Sequence, residues 1–337
     1  MATIPQPPKT IAVYVGLDRV GDGLLKLPFV RALRALFPDA HITWIAGREN
    51  SVYSGILAPL VDGLIDEVID YASIGISAKE FFRRPLDGRK FDLVIDTQRG
   101  ALAAFQMRRL CRGVFISPFA RFLLSSKKPK AGYKRSKSML RQMLDLLEIA
   151  SGTTLETPTT LEVPLDAPIT AMAEQLLPYG PTYVGLSPGA GGASKCWPLE
   201  NYISLAKRLS ADGHAPVFLL GPMEESWRQD IAAHVPGALF PVQSDKFDRK
   251  ALLDPRITIA LAKRLAAAVA NDSGIGHMLS AGGMPLITLF GHTPPEKFRP
   301  LAADLTLIRA TDYGSEDMSV IPVDAVANAV NAILSRP

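Results

Sequence analysis

Short apolar runs alternate with amphipathic stretches along most of the chain. Residues 10–17 (TIAVYVGL) form a continuous apolar run, the pattern of a strand buried on both faces. Leu24, Leu27, Val30, Leu33 and Leu36 then recur at helical spacing across 23–37, and Pro38 closes that helix. Residues 42–46 predict a second strand, 91–96 a third, 101–110 a helix, 114–117 a strand and 139–149 a helix. Residues 153–168 (TTLETPTTLEVPLDAP) break the rhythm with three prolines and read as a linker. The rhythm restarts with strand 183–187, helix 199–209, strand 217–220 and helix 224–234. Helix 258–265, strand 268–271, helix 275–281, strand 286–290 and helix 323–334 follow. Strands alternating with helices imply parallel sheets covered on both faces. The whole unit recurs, giving two Rossmann-like halves, 1–160 and 161–337, with a cleft expected between them. Ligands in such sheets bind at the carboxyl ends of the strands.

Composition narrows the class. Of 337 residues, 47% are hydrophobic and 21% charged, so the chain is globular rather than disordered. Two cysteines, Cys111 and Cys196, cannot make a disulfide framework, so a reducing compartment is expected. Residues 1–10 are polar and proline-rich and lack the apolar core of a signal peptide. No apolar run reaches the ~18–20 residues of a membrane span. A cytoplasmic protein able to touch a membrane surface is the expectation. The net charge of +4 conceals an asymmetry: from Thr97 to Leu144 there is no Asp or Glu, but twelve Lys and Arg, so the rest of the chain sums to −8. Such a block attracts an anionic partner, although a merely solvated basic surface would look the same. Lys127, Lys128, Lys130, Lys134, Arg135 and Lys137 crowd around Pro129 and Gly132, and form the candidate group for an anionic partner.

Three glycine-bearing segments end predicted strands. Arg19-Val20-Gly21-Asp22-Gly23 follows the first; Gly21 and Gly23 suit a tight turn, and Asp22 falls near a helix start, where a plain helix cap is the competing reading. No G-x-G-x-x-G follows this strand, which argues against a nicotinamide or flavin enzyme. Residues 187–198 (SPGAGGASKCWP) offer Ser187, Gly189, Ser194 and backbone amides to phosphate oxygens, with Lys195 as a point charge. Asn271-Asp272-Ser273-Gly274-Ile275-Gly276-His277 leads from a strand into a helix, whose exposed amides suit a diphosphate. There is no D-x-D metal clamp, no zinc-like His/Cys spacing and no nucleophile elbow.

In this order the motifs resemble glycosyltransferase family 9, the ADP-heptose:lipopolysaccharide heptosyltransferases. Val20-Gly21-Asp22-Gly23-Leu24-Leu25 with Pro28 resembles the family's G-D-x-L-L-x-x-P signature. Pro188-Gly189 with Ser194-Lys195-Cys196-Trp197-Pro198 is similar to P-G-A…S-K-R-W-P, and Asn271-Asp272-Ser273-Gly274 with His277 and Leu289-Phe290-Gly291 to N-D-T/S-G-x-x-H…A-L-F-G. Cys196 stands where the family has Arg, and His292 and Pro294 depart from the residues usual after L-F-G.

The resemblance implies a GT-B fold, with an acceptor-binding first domain and a nucleotide-sugar-binding second domain. It implies inverting, metal-independent transfer from ADP-heptose, a substrate rather than a cofactor, to a lipid-linked anionic core glycan at the inner membrane face. Asp22 matches the general base. Lys195 matches a donor-diphosphate contact, as do Asp272, Ser273, Gly274 and His277 for diphosphate and sugar, while Glu224 matches a ribose contact. A helix N-terminus favours an ionised Asp22, and a weak base suffices because the acceptor hydroxyl sheds its proton late. Two other readings fit the same motifs: transfer of another nucleotide sugar, or sugar-nucleotide binding without turnover. A basic nucleic-acid binder lacks any reader motif.

Overall fold

A computed structural model describes residues 7–77, 79 and 84–336. The chain divides between Thr157 and Pro158, inside the proline-rich segment and three residues before the boundary expected from sequence.

The first unit runs β1 (Thr10–Val15), α1 (Val20–Leu36), β2 (His41–Ala46), α2 (Ala58–Val61), β3 (Glu67–Ile69), β4 (Phe91–Asp96), α3 (Ala101–Leu110), β5 (Cys111–Ile116) and α4 (Met139–Ser151). All its strand pairs are parallel, in the order β3-β2-β1-β4-β5. β1 is central and buried from Ile11 to Val15, which is why it reads as an unbroken apolar run. The chain reverses direction across the sheet between β1 and β4, so their carboxyl ends, carrying the Asp22 turn and Asp96, make this unit's switch point.

The second unit runs α5 (Ala167–Leu176), β6 (Tyr183–Ser187), α6 (Leu199–Ala211), β7 (Ala215–Phe218), α7 (Trp227–His234), α8 (Arg249–Leu252), α9 (Pro255–Ala262), β8 (Ala267–Asn271), α10 (Gly274–Ser280), β9 (Leu286–Phe290), α11 (Pro295–Phe298), β10 (Leu305–Arg309) and α12 (Val323–Leu334). Its parallel sheet has the order β10-β9-β8-β6-β7, with the switch point between β6 and β8. Alternate residues of β8 feed opposite faces: Ala267 and Val269 join one core, Ala268 and Ala270 the other.

Several boundaries differ from the sequence reading for identifiable reasons. α1 starts at Val20, so Gly21–Gly23 lie in its first turn rather than before it. β5 starts at Cys111, directly after α3; Gly113 permits this, since a Cβ there would lie 2.2 Å from the Asp92 carbonyl. α9 begins at Pro255, because the Asp254 side chain accepts from the Arg256 amide and proline fits the first helical position. α7 begins only at Trp227, because Glu224 belongs to a turn closed by its amide on the Gly221 carbonyl.

Candidate active site

In the second unit the loops after β6 and β8 are locked to each other by Asn271. Its Oδ1 accepts from the Trp197 amide and the Tyr202 hydroxyl, both at 3.1 Å, and its Nδ2 donates to the Pro188 carbonyl at 2.7 Å. The sequence motif contained Asn271, but this clamp depends on residues more than sixty positions away. Lys195 Nζ sits 2.8 Å from Asp272 Oδ2; Asp272 is buried while a third of the lysine side chain is exposed. Ser187, the last residue of β6, is fully buried and its hydroxyl has no partner among the described residues.

Ser273 caps α10, its hydroxyl accepting from the Gly276 amide at 3.2 Å, with Gly274 as the first helical residue. His277 is buried and its pKa falls to about 4. Desolvation is the main cause; Asp272 opposes it and Lys195 adds to it. The ring is therefore neutral near neutral pH, a donor or acceptor rather than a charge.

Glu224 is mostly buried, and burial raises its pKa against backbone hydrogen bonds from its own amide and Gly221. Its carboxyl lies against two glycines: a Cβ on Gly189 would come within 2.4 Å of its Cδ, and one on Gly221 within 2.7 Å of Oε2. The structure thus brings Ser187, Gly189, Lys195, Glu224, Asp272, Ser273, Gly274 and His277 to one end of one sheet. Ser194 is exposed on the same loop. Cys196 is half-buried, its Sγ donating to the Gly192 carbonyl at 3.6 Å, and burial raises its thiol pKa, so it is a poor nucleophile.

In the first unit Asp22 occupies the first turn of α1, half-buried. Gly21 and Gly23 flank it. Gly23 is required by packing rather than by turn geometry, since a Cβ there would lie 2.6 Å from methyls of both Val52 and Leu57. Two buried acids of this unit were not singled out from sequence. Asp18 accepts from Lys26 Nζ, from Trp44 Nε1 at 2.9 Å and from Ser51 Oγ at 2.9 Å. Asp96, at the end of β4, accepts from Ser117 Oγ at 2.7 Å and the Gln98 amide at 2.9 Å, and burial raises its pKa to about 7.

The basic block is partly structural. Lys127 donates to the Ala150 carbonyl in the last turn of α4 at 2.6 Å, and Lys128 to the carbonyls of Phe122 and Leu123. The Phe122 contact steadies three successive residues, Ala120–Phe122, in the left-handed region. Arg135 bonds Gln142 Oε1. Lys130, Lys134 and Lys137 are exposed. Among the described residues no helix is long and apolar enough to cross a membrane, and no three acidic, His or Cys side chains cluster as metal ligands.

The family model for glycosyltransferase family 9 (heptosyltransferase) matches residues 81–320. Lipooligosaccharide heptosyltransferase 2 of Haemophilus influenzae is 32% identical over 127 residues, covering 37% of this chain and only 36% of that relative's length. Among solved structures, a family 9 glycosyltransferase of Veillonella parvula superposes with a TM-score of 0.69 at 21% identity, covering 97% of both chains. The Escherichia coli heptosyltransferase WaaC with ADP superposes at 0.65 and 18% identity, covering 96% of this chain and 99% of that one. These likenesses establish the fold as GT-B.

Proposed function

The chain belongs to glycosyltransferase family 9, the heptosyltransferase family, and from that premise we propose that it transfers heptose from ADP-heptose to a lipopolysaccharide core acceptor. The observation that carries this reading is the polar cluster at the β6/β8 switch point: Lys195 on Asp272, the unpartnered Ser187 hydroxyl and a neutral buried His277. That position in a doubly wound sheet is where nucleotides bind, and the related WaaC structure contains ADP.

In this mechanism the second unit holds the donor. Lys195 contacts the diphosphate, and the charge that builds on the leaving ADP strengthens its hold. Asp272, relieved of part of its lysine, accepts from hydroxyls of the sugar. Glu224 accepts from the ribose hydroxyls, and a Cβ on either Gly189 or Gly221 would crowd its carboxyl. His277 remains neutral and serves as a hydrogen-bonding group. The first unit receives the acceptor. Asp22 takes the proton of the attacking hydroxyl as the new bond to the anomeric carbon forms and the bond to the diphosphate oxygen breaks. The single displacement inverts that carbon and needs no metal ion. Lys130, Lys134 and Lys137 face the anionic lipid-linked glycan, and the enzyme works at the cytoplasmic face of the inner membrane.

A donor panel tests the reading. With an LPS-core acceptor, nucleoside diphosphate should be released from ADP-heptose and not from UDP- or GDP-hexoses. Preferred turnover of another nucleotide sugar would reassign the donor while leaving the family unchanged.

A further inference from the structure

The turn that carries Asp22 is held from below by a buried charged network that the transfer chemistry itself does not use. Asp18 lies four residues before Asp22 and Lys26 four residues after it, one helical turn on. Both are buried, and their ion pair ties the end of the β1 loop to α1 across the base. The second carboxylate oxygen of Asp18 accepts from Trp44 on β2 and from Ser51 in the following loop, each at 2.9 Å. The Tyr53 amide donates to Ser51 Oγ at 3.2 Å, and the Tyr53 hydroxyl donates to the carbonyl of Gly23 at 2.7 Å. The contacts therefore run from Asp18 through Ser51 and Tyr53 and return to the residue next to Asp22.

We propose that Asp18, with Lys26 as its buried counter-ion, is a positioning residue that fixes the turn bearing Asp22; this rests on the reading of Asp22 as the base. Stability alone is a weak reason for such a pair. Taking two charges out of water offsets much of their attraction, and apolar residues of similar volume serve a core equally well. What apolar residues would lose is direction. Three donors from a helix, a strand and a loop converge on one carboxylate, and a hydrophobic contact cannot fix a turn in that way. Asp22 needs that precision, because a misplacement of about 1 Å at a reacting group costs on the order of 10²-fold in rate.

The test uses the full chain with Asp18→Leu/Lys26→Met, Asp18→Asn/Lys26→Gln and Asp22→Asn, and Asp18→Leu/Lys26→Met combined with Asp22→Asn. An ADP titration counts donor sites in the second unit and a urea denaturation curve gives the folded fraction of the first, so turnover is expressed per fully folded molecule. Asp18→Leu/Lys26→Met should keep its ADP affinity and acceptor KM while kcat falls ~10²-fold. The conservative pair Asp18→Asn/Lys26→Gln retains an oxygen for Trp44 and Ser51 without stranding the lysine charge; it should fall less, ~10-fold, and it serves if Asp18→Leu/Lys26→Met does not fold. Added to Asp22→Asn, Asp18→Leu/Lys26→Met should cause no further loss, because it acts through the missing base. Unchanged kcat in both Asp18 variants, or losses that multiply in the Asp22→Asn background, would overturn the proposal while leaving Asp22 as base. Full turnover in Asp22→Asn itself would overturn both.

Discussion

Asp96 should make the protein lose stability as pH rises through neutrality, the opposite of most carboxylates. Burial raises its pKa from 3.8 to about 7, outweighing the Ser117 and Gln98 bonds that favour the ionised form. Between those values the folded protein holds a proton that the unfolded chain releases, so stability falls with rising pH and the loss is complete above about pH 7. At 1.36 kcal/mol per pH unit the whole window corresponds to about 4 kcal/mol, and about 3 kcal/mol of it lies between about pH 5 and pH 8. Asp96→Asn stays neutral throughout. Its amide oxygen can accept from the Gln98 amide and its Nδ2 can donate to Ser117 Oγ, but the serine hydroxyl loses the oxygen it donated to, which costs about 1 kcal/mol. The variant should therefore nearly match wild type at about pH 5 and exceed it by about 3 kcal/mol at about pH 8. Urea denaturation of both proteins at the two pH values reads this difference. The buried His277 loses stability in the other direction, from pH 6.5 down to about 4, but both proteins carry it and it cancels. A gap of the same size at both pH values would refute the argument.

Gly23→Ala should destabilise by about 1 kcal/mol, since overpacking against Val52 and Leu57 costs about 1–3 kcal/mol and helix propensity returns only about 1; denaturation at neutral pH checks it, and an increase in stability would contradict it. Reversing Lys130, Lys134 and Lys137 to Glu should raise acceptor KM and weaken binding to anionic liposomes, each original charge having contributed about 1 kcal/mol near the surface. Both effects should shrink in high salt, with ADP-sugar affinity unchanged; salt-independent kinetics equal to wild type would make these lysines a solvated surface only.

The strand rhythm and the glycine-rich strand ends were legible because they are local. β4, β6, β9, α3 and α12 span the ranges expected, each being a run whose ends are marked in the sequence itself. β3 and β10 were not expected; each is one of two outer strands of its sheet, and, short or half-exposed, neither carries a continuous apolar run. The donor-side motif residues were legible as types, while the Asn271 clamp was not, because Trp197 and Tyr202 meet it only through the sheet. Asp18, Lys26 and Asp96 look in sequence like ordinary solvated charges, and only burial gives them their chemistry. Lys127 and Lys128 show the reverse: counted as free charge in the sequence, they are engaged with backbone carbonyls.

In the proposed reaction Asp22 removes the acceptor proton while the second unit holds the donor. Steady-state transfer from ADP-heptose to an LPS-core acceptor by wild type and Asp22→Ala, with ADP-sugar affinity measured alongside, reads this role. Turnover in Asp22→Ala should fall by ~10²-fold or more at unchanged donor affinity, the scale of a lost general base. Equal turnover in the two proteins would contradict it.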